Sequence, residues 1–282
     1  MASRYQATFR IPAKDEDSFS DNLLESGAES ISIAPANPGT EVYVHAIMTD
    51  ICSPGDNLAG AISVTRLEED DWRHRWLQHY EGFEVNEEIY IHPVTSPAPV
   101  EKEYRYLLHL DPRDAFGDGR HPTTILCLTM LHEITASLPP DTRRETSMLD
   151  IGTGTGILAV CASLMGTGEI HAIDCDETSI TMTGKNAELN GAHNITSSVS
   201  DIREFDPGRK FDIITANLLT GILQEHFDRI LLLLKPTGTL IISGISTRWG
   251  NEMDALFSKK NIYVRKKDTR EGWLAYLLQP ER

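Results

Sequence analysis

The sequence predicts an α/β protein: a Rossmann-like, mostly parallel seven-stranded sheet covered by helices, preceded by a small α+β domain. Three observations predict it. Short apolar runs alternate with helical periodicity from residue 149 onward, the pattern of a parallel sheet covered on both faces. A turn with three alternating glycines, Gly152, Gly154 and Gly156, joins the first such run to the first helix. At 282 residues the chain also exceeds the usual size of one domain, which leaves room for a smaller one in front.

Residues 5–11 alternate like a strand, and residues 15–25 carry Phe19, Leu23 and Leu24 at helical spacing behind acidic starters. Residues 31–34, 41–47 and 61–66 read as further strands of a ferredoxin-like pattern, with little room between Thr49 and Gly60 for its second helix. Residues 1–66 are therefore expected to form the small domain, and residues 67–103 a linker helix and connecting segment. Residues 68–80 open with acids and space Trp72, Trp76 and Tyr80 four apart. Those rings share one face, either an ordinary core stripe or a surface turned toward the other domain or a substrate. Strands over 88–92 and 104–110 flank a Pro- and Ser-rich loop, and the composition of 93–103 suits a flexible connection.

Residues 104–282 form the larger domain. A strand through Ile151 leads to a helix over 157–165, a strand over 169–174 and a helix over 177–190. Strands over 196–200 and 211–217, a helix over 218–234, a strand over 239–244 and a helix over 248–257 follow. Strands over 262–267 and 273–278 are too close together for a helical crossover and should pair antiparallel. The result is seven strands with a reversed last member.

The form of the glycine turn points to a ligand. A dinucleotide fingerprint reads G-x-G-x-x-G, whereas here Gly156 comes one residue early and Ile157 takes the dinucleotide position. With no pyrophosphate to cradle, G-x-G-x-G suits S-adenosylmethionine, whose methionine portion lies against the turn. A tight turn without any ligand uses the same glycines. Asp174, eighteen residues after Gly156, ends the second strand and is placed to accept ribose hydroxyls. Asn217 ends the fourth, so the glycines, Asp174 and Asn217 converge at the carboxyl ends of the sheet. Asp176 reads as the cap of the next helix.

Residues 111–124 form a glycine-bearing loop that runs into a helix. Pro122 suits the first helical position, and the Thr123 and Thr124 hydroxyls face whatever precedes it. An anion or carboxylate site and a well-capped helix fit this pattern equally. His121, beside the proline, reads as structural.

Composition bounds the remaining classes. Hydrophobic residues make up 40% of the chain, as in a soluble globular protein. The longest apolar run, residues 230–234, is far too short to span a bilayer, and no apolar signal core follows the first residues. A cytoplasmic protein without membrane attachment is expected. Cys52, Cys127, Cys161 and Cys175 form no C-x-x-C pair, which argues for reduced thiols and against a zinc site. The formal net charge of −16 disfavours direct nucleic-acid binding and suits a basic protein partner. Residues 1–70 alone hold four Lys plus Arg against twelve Asp plus Glu. No oligomeric signal stands out, so a monomer is expected.

Ala115-Phe-Gly-Asp-Gly-Arg-His-Pro-Thr-Thr124, Leu149-Asp-Ile-Gly-Thr-Gly-Thr-Gly-Ile-Leu-Ala159, Ile173-Asp-Cys-Asp176 and Ala216-Asn-Leu-Leu-Thr-Gly221 occur in that order. Together they closely resemble the methyltransferases of large-subunit ribosomal protein eleven, the PrmA type. The likeness extends to residues 71–76, 235–238 and 243–245, so it covers roughly residues 70 to 278. It implies a seven-stranded S-adenosylmethionine-dependent methyltransferase domain behind a small substrate-recognition domain. It also implies cofactor contacts from Thr124, Gly152, Asp174 and Asn217, and methylation of lysine side chains and an α-amino group on a large-subunit ribosomal protein. Two features depart from the family. Asp118 and Arg120 stand where it usually has threonine or another small residue, and residues 1–66 match only in general pattern and look abbreviated.

The expected chemistry asks little of side chains, since a sulfonium methyl is already activated and the main task is positioning a neutral amine. The Asn217 side-chain oxygen and the Leu218 carbonyl are expected to orient that amine, with water taking the proton. Three other classes stand beside this reading. A methyltransferase of another basic protein or of a small molecule would use the same fold. An NAD-dependent oxidoreductase would require glycine at position 157. A non-catalytic ribosome-binding module would not need Gly152, Asp174 and Asn217 intact.

Overall fold

Met148–Ile151 is buried along its whole length, as an apolar run must be when helices cover both faces of a sheet. In the computed structural model, which describes residues 4–281 except 17–18, 21–22, 24–27, 38–39, 50–59, 68–80, 97–99, 101, 113–116 and 118, this strand lies at the centre of the larger of two units. The units are Met1–His79 and Tyr80–Arg282. Trp72, Trp76 and Tyr80, the linker helix, Cys52 and Asp118 lie outside the described residues.

The smaller unit holds β1 (Arg4–Pro12), β2 (Ala28–Asn37), β3 (Glu41–Thr49) and β4 (Ser63–Leu67). They pair antiparallel in the order β2-β3-β1-β4, the ferredoxin-like order. Ala7, Phe9, Val44, Ala46 and Met48 form its core with Leu23. Phe19 meets the Phe9 ring edge-on, with centroids 5.0 Å apart.

The larger unit opens with β5 (Phe83–Glu84), β6 (Ile89–Pro93) and β7 (Tyr106–Leu110), a separate three-stranded sheet. Because β6 pairs in parallel with β7 across the Pro-rich loop, these strands group with the larger unit. That loop connects two strands of one sheet. α1 (Pro122–Ser137) and the short α2 (Pro140–Glu145) precede β8 (Met148–Ile151). Then α3 (Ile157–Leu164), β9 (Ile170–Asp174), α4 (Glu177–Leu189), β10 (Ile195–Val199) and β11 (Phe211–Asn217) follow. α5 (Thr220–Leu233), β12 (Leu234–Ser246), α6 (Gly250–Lys259), β13 (Ile262–Arg270) and β14 (Trp273–Pro280) complete it.

The sheet order is β10-β9-β8-β11-β12-β14-β13. Strand β14 runs antiparallel to both neighbours and the other pairs are parallel, as the short β13–β14 connection predicts. Leu128 and Leu131 of α1 and Val160 of α3 fill one face, together with Ile89, Ile91 and Leu108 of the small sheet. Leu223, Phe227 and Ile230 of α5 and Met253 and Phe257 of α6 fill the other. The chain order reverses between β8 and β11, which opens a crevice at their carboxyl ends.

Candidate functional site

The crevice begins where β8 gives way to the glycine turn. Gly152, Gly154 and Gly156 have φ of +69°, +54° and +80°, the left-handed region that side chains disfavour. Gly156 caps α3, and a Cβ there would lie 2.9 Å from Thr183 Cγ2. A Cβ on Gly152 would lie 2.3 Å from Leu218 Cδ2. These positions thus bring the turn close to α4 and to the segment after β11.

Asp174 ends β9 and bonds the turn directly: its Oδ2 accepts the Gly154 amide at 3.0 Å. Its Oδ1 accepts the Asp176 amide, also at 3.0 Å. Asp176 takes the capping role, accepting the Thr178 and Ser179 amides at 3.1 and 3.0 Å. Asp176 thus caps α4, as its position predicts.

Beneath the turn lies Asp150, 1% exposed. Thr153 Oγ1 donates to it at 2.7 Å and Thr215 Oγ1 at 2.6 Å. Burial pushes this carboxyl up to about 6, against the pull of the two hydroxyls. Asp150 therefore links the turn to β11.

Asn217 ends β11, and its Nδ2 lies 3.4 Å from Thr124 Oγ1 in the first turn of α1. His121 caps that helix: its Nδ1 accepts the Thr123 amide at 3.4 Å and lies 2.7 Å from Thr123 Oγ1. Its ring also meets Trp273 edge-on at 4.9 Å, in keeping with a structural histidine. Leu218 donates its amide to Ser243 O at 3.1 Å, so it lies before α5 instead of beginning it.

The structure thus joins Gly154 to Asp174 and Asn217 to Thr124, and sets Leu218 against Gly152. It also adds two residues that the sequence reading passed over. Asn186, fully buried on α4, donates to Asp111 O at 3.1 Å and Thr155 O at 2.8 Å, and accepts the Asp111 amide at 2.8 Å. One turn on, Asn190 accepts the His109 amide at 2.8 Å and donates to His109 O at 2.7 Å. Their spacing of four on the inner side of a predicted helix was the available signal. Among the described residues no three His, Cys, Asp or Glu side chains are grouped to hold a metal, and no helix is long and apolar enough to cross a membrane.

A seven-stranded sheet with one reversed strand, and a glycine turn and acid at its switch point, is the architecture of the Rossmann-like methyltransferases. The family model "Ribosomal protein L11 methyltransferase (PrmA)" matches residues 40–281, and the chain belongs to that family. The chain is 29% identical over 215 residues to the ribosomal protein L11 methyltransferase of Brevibacillus brevis, a match spanning 76% of this chain and 66% of that protein. Against its counterpart in Methylococcus capsulatus the identity is 29% over 289 residues, covering 92% and 94% of the two chains. The crystal structure of ribosomal protein L11 methylase from Lactobacillus delbrueckii subsp. bulgaricus superimposes with a TM-score of 0.64 at 25% identity, covering 72% of this chain and all of that one.

Proposed function

We propose that the chain is an S-adenosylmethionine-dependent protein N-methyltransferase acting on lysine and α-amino groups of large-subunit ribosomal protein L11. The observation that carries this reading is the Asp174–Gly154 bond at the switch point, with Asn217 and Thr124 joined at the neighbouring strand end.

The residues present fit the cofactor. Gly152 and Gly156 leave the turn without side chains where a Cβ would strike Leu218 or Thr183, so the turn packs closely on these neighbours in a conformation that glycine allows. Asp174 spends one lone pair of each oxygen on a backbone amide and retains others for ribose hydroxyls. Thr124, Gly152, Gly154, Gly156, Asp174 and Asn217 would hold the cofactor. When bound, it supplies a methyl group already activated on a sulfonium.

The chain must then present a neutral amine in line with that methyl. A lysine has a reference pKa of about 10.4, and burial lowers it. The Asn217 side-chain oxygen and the Leu218 carbonyl orient the amine, and water takes the proton. Leu218 is fixed for this task by the hydrogen bond its amide donates to Ser243 O.

The amino-terminal unit recognises the protein substrate in this reading, and its excess of acids over bases suits a basic partner. The enzyme works as a cytoplasmic monomer without direct nucleic-acid contact. Calorimetric titration with S-adenosylmethionine and with NAD tests the cofactor: saturable binding of the first alone is expected. Asn217→Ala is expected to lower methyl transfer to L11 by roughly tenfold to a hundredfold. Full turnover with unchanged cofactor affinity would remove the role assigned to Asn217.

A further inference from the structure

Arg120 contacts Glu81 and Phe83, and the cofactor reading gives it no task. It ends a short stretch, residues 117–120, that adjoins the glycine turn. At one end of that stretch Gly117 O accepts the Thr155 hydroxyl at 2.6 Å. In the middle Gly119 is packed so closely that a Cβ there would lie 2.6 Å from Ile157 Cδ1 and 3.2 Å from Phe83 Cζ. At the other end Arg120 Nη2 donates to Glu81 O at 2.6 Å, and its guanidinium lies 5.5 Å from the centre of the Phe83 ring. Asn186 holds the turn from the opposite side through Thr155 O. Contacts therefore link Asn186 and the turn to Gly117, and Gly119 and Arg120 to Ile157, Glu81 and Phe83.

Those last residues have a particular place in the chain. The larger unit begins at Tyr80, so residues 81–83 are where the polypeptide enters it from the amino-terminal unit. Phe83 then joins β5 and pairs with Ile91.

We propose that Arg120 is a positioning residue that couples cofactor occupancy at the glycine turn to this entry segment. The proposal rests on the cofactor reading above. A ligand seated on the turn restrains Thr155 and Ile157, and Gly117 and Gly119 are too tightly packed against them to move independently. Arg120 passes the restraint on through a charge-assisted hydrogen bond and a contact with an aromatic face. Coupling of this kind is reciprocal, so a firmly seated entry segment favours the cofactor by the same factor. The Arg120 side chain is exposed and its bond competes with water, so the factor is modest, roughly threefold to tenfold. Its consequence is mutual stabilisation: residues 81–83 are held most firmly when the methyl donor is in place, and the donor most firmly when they are seated.

Amide hydrogen exchange on the full chain tests this, with and without S-adenosylhomocysteine, in wild type, Arg120→Ala and Arg120→Lys. In wild type the ligand should slow exchange at residues 152–157 and, by roughly threefold to tenfold, at the Phe83 and Val85 amides. In Arg120→Ala the slowing at 152–157 should persist, that at Phe83 and Val85 should shrink to the part carried by the Gly119–Phe83 packing, and ligand affinity should weaken by the factor lost. Arg120→Lys, which keeps the charge without the planar fork, should fall between. Equal ligand-dependent slowing at Phe83 and Val85 in wild type and Arg120→Ala overturns the coupling. So does exchange there that Arg120→Ala speeds equally with and without ligand, since that marks a purely local support. Protection at 152–157 without any at Phe83 and Val85 in wild type removes the coupling alone, whereas no protection at 152–157 removes the cofactor reading and the coupling with it.

Discussion

The Asp174 carboxylate closes the glycine turn across twenty residues of sequence, accepting the Gly154 amide at 3.0 Å. The acid that should hold the cofactor thus also sets the shape of the backbone beside it. Asp174→Ala removes both functions. Hydrogen bonds to a charged group contribute about 1.5–3 kcal/mol each, so S-adenosylmethionine affinity should fall at least roughly tenfold in a calorimetric titration. Asp174→Asn keeps an acceptor and should lose less.

Gly244 packs against the segment proposed to orient the amine. Its φ is +86°, and a Cβ there would lie 2.0 Å from Leu218 O. Gly244→Ala must displace that carbonyl. It should destabilise the fold by roughly 2–4 kcal/mol in urea unfolding. It should also cut turnover about tenfold or more, with a smaller change in cofactor affinity.

Asn186 makes three hydrogen bonds from a buried position, to both backbone groups of Asp111 and to Thr155 O. Asn186→Leu fills a similar volume and removes all three. The expected cost is about 2–4 kcal/mol of stability, accompanied by weaker cofactor binding because Thr155 belongs to the turn. Unchanged denaturation and affinity would contradict the place given to Asn186.

Asp150 predicts a pH dependence with a definite sign. Burial raises its pKa from 3.8 to about 6 in the folded chain, although the Thr215 and Thr153 hydroxyls pull it down. Between those values the native chain holds a proton that the unfolded chain has released. The contribution to stability is therefore fully present below about pH 4 and is lost as pH rises through about 6. That loss amounts to roughly 2–3 kcal/mol. The difference in unfolding free energy between wild type and Asp150→Asn should fall by this amount from pH 4 to pH 6 and stay level above. A difference that rises across the window would contradict the assignment.

These expectations rest on elements that differed in how clearly the sequence marked them. Strand β11 is bounded at both ends as its apolar run predicts, because Phe211 and residues 213–216 are buried. Helix α5 begins at Thr220 instead of Leu218, since Leu219 has the extended backbone of an N-cap, with ψ of 144°, a conformation that local periodicity does not encode. Strand β12 runs over Leu234–Ser246, longer than its apolar middle, because Phe211 pairs with Leu234 and Trp273 with Ser246. The short β5 and α2 carry too few residues to register a period. The positions of Gly152, Asp174 and Asn217 were legible because Gly152 follows one apolar strand and Asp174 and Asn217 end two others. Asn186 was not, because its value lies in reaching Asp111, 75 residues upstream in the chain.

Methyl transfer to L11, the protein that family members are named for, is read by intact mass spectrometry. The purified chain would be incubated with S-adenosylmethionine and unmethylated large-subunit ribosomal proteins. The account predicts that L11 alone gains mass in steps of one methylene, and that Asn217→Ala slows the gain. If no protein gains mass although S-adenosylmethionine binds, the methyltransferase fold stands and the assignment of L11 as substrate is contradicted.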